Sequence, residues 1–159
     1  SSQTESVPYR GRFLIISVRR SALLGQAATA QTTYDPRREP QTDYQAALRE
    51  AKRRNVNVLL DLGGDWCGDC RRLDAFIAAN PDVARTLKDN YVLLKVYVGD
   101  EKDNSAFLSR LPPFNWVPYF FVISPDGRVL KAMDTRNLTV NQQFSKPNVT
   151  AFLKTFTRR

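Results

Sequence analysis

The residues of this chain best equipped for covalent chemistry fall within eleven positions, "GGDWCGDCRRL", residues 63–73. Both cysteines are here, Cys67 and Cys70, three positions apart. A bridge across two intervening residues closes a very small loop and removes little entropy from the unfolded chain, which disfavours a purely stabilising role. The motif follows an apolar, strand-like run and opens a helical pattern. At a helix start, free N–H groups and the positive end of the macrodipole favour a thiolate, so the Cys67 pKa is expected below the ~8.5 of a free thiol. Cys70, one turn further in, reaches the same sulfur. Cys67 is thus placed to attack a disulfide and Cys70 to resolve the mixed disulfide, with Arg71 and Arg72 adding positive field.

Competing uses of the thiols fare less well. A structural zinc normally takes four protein ligands. The chain has no histidine and no second cysteine pair, so zinc would have to borrow carboxylates or another subunit, and an iron–sulfur cluster shared across a dimer has no support. A cysteine–histidine nucleophile is excluded, because histidine is absent. The reading requires no metal and no bound cofactor.

Around the motif the chain alternates helical and strand patterns. Thr42 with Gln45 predicts a capping box, followed by Tyr44, Ala47, Leu48 and Ala51 at helical spacing. Val56–Leu62 reads as a strand buried on both faces. Leu73, Phe76 and Ile77 continue the motif's helix until Asn80-Pro81 interrupts it, and a second turn or helix is expected over Asp82–Lys88. "YVLLKVYV", Tyr91–Val98, is another strand, and Phe107, Leu108 and Leu111 mark a short helix. "PPFNWVP" leads into the strand "YFFVI", "SPDG" is a turn, and Arg128–Met133 returns as the hairpin partner. Val149, Phe152, Leu153 and Phe156 form one face of a last helix. A βαβ unit followed by a hairpin predicts an α/β fold, a central mixed sheet flanked by helices.

Residues 1–41 read as an N-terminal extension to a domain over 42–159. Two readings of residues 1–30 stand side by side. Arg10 and Arg12, an apolar stretch and Ala28-Thr29-Ala30 resemble a secretory leader cleaved before Gln31, a pattern that Arg19 and Arg20 interrupt. Alternatively Phe13–Val18 is a strand of the sheet. "DPRREPQTD" reads as a polar linker. The formal charge is +8, with ten basic against five acidic residues in the first 60. Without a glycine–arginine repeat or aromatic–basic interleaving, this balance points to solubility rather than nucleic-acid binding. No apolar run is long enough to span a bilayer as a helix. Asn137-Leu-Thr and Asn148-Val-Thr match glycosylation acceptors, a short pattern that arises often by chance.

Trp66-Cys67-Gly68-Asp69-Cys70 resembles the active site of the thioredoxin superfamily. The resemblance covers about residues 42–157. Asp61, ending the strand in "LLDLGGDWC", matches that family's buried acid; Lys95 in "LLKVYV" matches the lysine that pairs with it; Val117-Pro118 matches its cis-proline bond. It implies a thioredoxin fold and thiol–disulfide exchange with protein substrates. Burial in an apolar strand is expected to raise the Asp61 pKa. The resemblance makes Asp61 the proton acceptor for Cys70, tuned by Lys95, with a structural Asp61–Lys95 pair as the compatible alternative. Trp66, Gly68, Asp69, Val117 and Pro118 would face the substrate. The implied partners are protein disulfides and a redox-partner thiol protein. A reductant is the first reading of direction; an isomerase or oxidase of an oxidising compartment, or a protein-binding module, are the alternatives. Export to a bacterial periplasm is set against a cytoplasmic location.

The chain departs from that family in three places. Asp69 stands where proline is usual; its charge disfavours the thiolate yet suits the helix start. Gly63-Gly64 replaces bulkier residues and is expected to loosen or open one wall of the site. "PPFNWVP" and Thr135–Asn148 are longer than a minimal thioredoxin needs, with Phe114 and Trp116 divided between filling the core and meeting a partner.

Overall fold

The computed structural model describes residues 31–158. The leader and the Phe13–Val18 strand fall outside them. Helix α1 (Pro40–Arg54) begins two residues before the expected capping box. Pro40 occupies the first turn, where its missing N–H costs nothing and its fixed φ suits the helix. Glu39 is the N-cap, and Thr42 and Gln45 lie inside the helix. The helix ends on Asn55 in the left-handed region (φ 54°), with Lys52, Arg53 and Arg54 in its last turn.

Four strands form the main sheet: β1 (Asn57–Gly63), β2 (Tyr91–Tyr97), β3 (Tyr119–Ile123) and β4 (Val129–Asp134), in the order β2-β1-β3-β4. β1 pairs parallel with β2 and antiparallel with β3, and β3 and β4 form a hairpin. The parallel pair is joined by α2 (Gly68–Ala79) and α3 (Pro81–Asn90). A short α4 (Ser105–Leu108) follows β2, and α5 (Lys146–Thr155) closes the fold. Between β4 and α5 a 3-10 turn over Thr135–Leu138 leads into a small hairpin of β5 (Thr139–Val140) and β6 (Gln143–Phe144). Its tip, Asn141 and Gln142, has positive φ at both residues, as a tight two-residue hairpin turn requires.

Every residue of β1 is buried, because both faces of the sheet are covered. Side chains alternate across the sheet. Val58, Leu60 and Leu62 pack with Ala47 and Ala51 of α1 and Phe107 of α4. Leu59 faces the opposite layer, with Leu73 of α2, Val83 and Leu87 of α3, and Phe152 and Leu153 of α5. On that side Phe120 stacks on Phe152, ring centroids 5.9 Å apart, and the Tyr91 hydroxyl donates to the Leu153 carbonyl at 2.6 Å. By the same alternation Asp61 and Lys95, register partners on adjacent strands, both point toward the α2 layer.

The expected linker is held by side chains. Arg38 Nε donates to Asp43 at 3.0 Å and Lys102 pairs with Glu39 at 2.5 Å. Gln31 forms a parallel bridge with Leu94, its carbonyl accepting from Lys95 N–H at 2.8 Å. Residues 31–34 thereby lie along the outer edge of β2.

Candidate active site

The site forms where β1 ends and α2 begins. Cys67 is the N-cap of α2, with extended backbone (φ −89°, ψ 117°), and its Sγ accepts the Cys70 N–H at 3.1 Å. A sulfur at this position takes up one of the backbone donors that a helix start leaves unpaired. Both cysteines are free thiols. Cys67 is 6% exposed and Cys70 1%, so the first thiol is the one nearer solvent. Burial, and then the hydrogen bond with Cys67, push the Cys70 thiol up.

The Val117–Pro118 peptide bond is cis, and the Cys67 thiol donates to the Val117 carbonyl at 3.5 Å. Thr135, at the start of the 3-10 turn, donates its hydroxyl to the Pro118 carbonyl at 2.5 Å and so ties this loop to the segment after β4. Trp66 is 58% exposed, with its indole N–H on the Val98 carbonyl at 2.7 Å. Gly68 has no non-local neighbour closer than 3.7 Å to where a Cβ would stand. Asp69 is ion-paired with Arg72, so its charge beside the sulfurs is partly taken up, and Arg71 donates to the Asp65 carbonyl at 2.5 Å.

Asp61 lies beneath Cys70 and is 2% exposed. Burial raises its carboxyl to about 7, against the opposing pull of the Lys95 charge and the Tyr34 hydrogen bond. A group poised near neutrality suits proton exchange with a buried thiol. Lys95 does not make the direct contact expected with Asp61: its Nζ pairs with Asp74 of α2 at 2.5 Å, while Asp61 Oδ1 accepts from the Tyr34 hydroxyl at 2.5 Å. Lys95 acts on Asp61 through space, from the neighbouring strand.

The two glycines do not open the wall. A Cβ on Gly63 would stand 2.6 Å from Cys70 Sγ and 2.9 Å from the Tyr34 ring, and one on Gly64 would collide with the Trp66 indole. The room that the missing side chains leave is filled by the Cys70 sulfur and the Tyr34 ring beside Gly63 and by the nearby Trp66 indole beside Gly64. Phe114 packs against Tyr119 and Phe121, ring centroids 5.8 and 6.4 Å away, and fills the core. Trp116 is 36% exposed, with the Arg136 guanidinium 4.4 Å from its ring centroid. It rims a cleft of about 640 Å³ shared with Asp69, Arg72, Gln143 and Phe144. A second cleft, of about 330 Å³, reaches Asp61, Asp74 and Lys95 from the α2–α3 side.

Sequence reasoning missed Tyr34, Asp74 and Tyr97. Asp74 was open to detection, since it lies four positions after Cys70 on one helix face. Tyr34 carries no such local signal. Among the described residues no cluster of three or more cysteine and carboxylate side chains is arranged for a metal ion.

Fold and site together define the class: a thiol–disulfide oxidoreductase with two adjacent thiols at a helix start, opposite a cis-proline loop. The chain belongs to the thioredoxin-like family, whose model matches residues 39–125. It is similar to the thiol:disulfide interchange protein DsbD of Pseudomonas fluorescens, 30% identical over 112 residues, which is 70% of this chain and 19% of that protein. The chain spans about a fifth of the length of such curated relatives. Among solved structures, a disulphide isomerase from Xylella fastidiosa Temecula1 superposes with a TM-score of 0.66 at 25% identity, over 77% of this chain and 94% of that one. The oxidised C-terminal domain of Neisseria meningitidis DsbD shares the fold, with a TM-score of 0.56 at 19% identity, over 78% and 96% of the two chains.

Proposed function

We propose that this protein exchanges disulfides with protein substrates and works chiefly as a reductant. The Cys67 thiolate attacks a substrate disulfide, forming a mixed disulfide and releasing one substrate thiolate. Cys70 gives its proton to Asp61 and attacks the Cys67 sulfur, releasing the second substrate thiolate. The substrate has gained two electrons, and Cys67 and Cys70 have become a disulfide, which a redox-partner thiol protein reduces again. Lys95 tunes Asp61. Val117 and Pro118 orient the substrate backbone, and Trp66, Gly68 and Asp69 form the surface it meets. Residues 42–159 form the exchanging domain, and residues 1–41 an extension from which Tyr34 reaches into the site. The basic, apolar, Ala-x-Ala order of residues 10–30 supports export, to a periplasm in a bacterial host.

The observation that carries this reading is Cys67 Sγ at the N-cap of α2, bonded to Cys70 N–H and 3.5 Å from the Val117 carbonyl. Insulin reduction tests it. The unaltered chain is expected to turn over, and Cys67→Ser to fall to the uncatalysed background; no cysteine-dependent turnover would leave a binding module instead. The likeness to a disulphide isomerase favours a second reading, which redox titration separates. A potential near about −270 mV supports the reductant, about −180 mV the isomerase and about −120 mV an oxidase.

A further inference from the structure

Tyr34 precedes the residues matched by the family model, yet its ring is 2% exposed and packs with Cys67, Cys70 and Tyr97. Its hydroxyl donates to Asp61 Oδ1 at 2.5 Å, and Lys95 Nζ lies 4.4 Å from its ring centroid. Tyr34 and the Cys70 sulfur press on the same glycine, Gly63. The segment is fixed on both sides of Tyr34. Before it, the Gln31 carbonyl holds Lys95 N–H; after it, the Arg38 N–H donates to the Asp35 carbonyl at 3.2 Å and Arg38 pairs with Asp43.

We propose that Tyr34 is a positioning residue for the dithiol: its hydroxyl orients the Asp61 carboxylate beneath Cys70 and favours the ionised form that accepts the Cys70 proton. The inference rests on the reading of Asp61 given above. With Oδ1 held by Tyr34, the second carboxylate oxygen is left to take the proton. Burial and the neighbouring Asp61 charge push the Tyr34 phenol well above its ordinary range, so it stays a donor at every working pH. Asp61 is faced by Lys95 from β2 and by Cys70 and Asp74 from α2; β3 presents no charged residue. Of these groups, Tyr34 alone is hydrogen-bonded to it among the described residues. A ring that merely plugs the base of the site would not need that hydroxyl.

Tyr34→Phe keeps the ring and removes the bond. In the full chain, the Asp61 carboxyl carbon resonance is titrated by NMR in the reduced unaltered protein and in Tyr34→Phe. Its midpoint is expected to rise by roughly one pH unit, the equivalent of one hydrogen bond to a charge. The acid limb of mixed-disulfide resolution is expected to move with it. An unchanged midpoint overturns the proposal and leaves Tyr34 a plug. A second readout needs no variant: the Tyr34 hydroxyl proton of the unaltered chain is expected to change shift as Asp61 titrates, with a midpoint of about 7, and a pH-independent resonance would also overturn it. A lack of disulfide exchange in the unaltered chain counts against the functional reading, while the two resonances judge Tyr34 separately.

Discussion

The buried Asp61 carboxyl ties folding stability to pH. Its carboxyl is raised in the folded state to about 7 from an ordinary 3.8, chiefly by burial. Between those values the unfolded chain has released the proton and the folded chain still holds it. Folding stability therefore falls as pH rises from about 4 to 7 and levels off above. At roughly 1.4 kcal/mol per unit, the penalty is on the order of 4 kcal/mol at pH 8. Asp61→Asn is expected to be more stable than the unaltered chain at pH 8 by that order, with the advantage shrinking toward pH 4–5; urea unfolding at a series of pH values measures it. An advantage independent of pH would mean that Asp61 does not titrate in this range. On the proposed role of Asp61, the same substitution is expected to slow resolution, because Cys70, itself pushed up by burial, would lose its proton acceptor.

At the scale of elements, the site is a product of strand parity and a helix start. β1 places Leu59 and Asp61 on the α2 face and Leu60 and Leu62 on the α1 face. Its parallel register with β2 sets Lys95 beside Asp61, and its last residue, Gly63, meets Cys70. Gly63→Ala puts a Cβ into contact with the Cys70 sulfur and the Tyr34 ring. It is expected to destabilise the fold by about 1–3 kcal/mol and to slow exchange, as urea unfolding and insulin reduction would show. A neutral effect would mean that both neighbours can withdraw. β1, β2 and β3 were legible in the chain because each is a mostly apolar run with a distinct boundary, and β4 because the SPDG turn precedes it. The start of α1 was not: Thr42 and Gln45 offered a capping box, but Pro40 already fits the first turn. The β5–β6 hairpin was also missed, since two-residue strands leave no periodicity to read.

For the molecule as a whole, stability rests on two apolar layers against one sheet. Leu60 is fully buried between β2, β3 and α1. Leu60→Ala is expected to cost about 2–5 kcal/mol, seen as a lowered urea midpoint with little change in the redox potential, because Leu60 points away from the thiols. A large shift in potential would show that the layers are coupled. No helix among the described residues is long and apolar enough to cross a membrane.

Taken alone, the amino-acid order determined the local chemistry: two thiols at a strand–helix junction, an acid two residues before the strand's end, a lysine on the next strand, and a proline before the hairpin. Each follows from short-range pattern, in which spacing dictates which face a side chain takes. The tertiary structure decided which groups touch. It paired Lys95 with Asp74 rather than Asp61, filled the space beside Gly63 and Gly64, sent Phe114 inward and Trp116 outward, and brought Tyr34 to Asp61 from 27 positions away. Apart from the Trp66 indole over Gly64, two residues away, these contacts join segments distant in the chain, and only the packed layers fix their separation, so no local spacing could encode them.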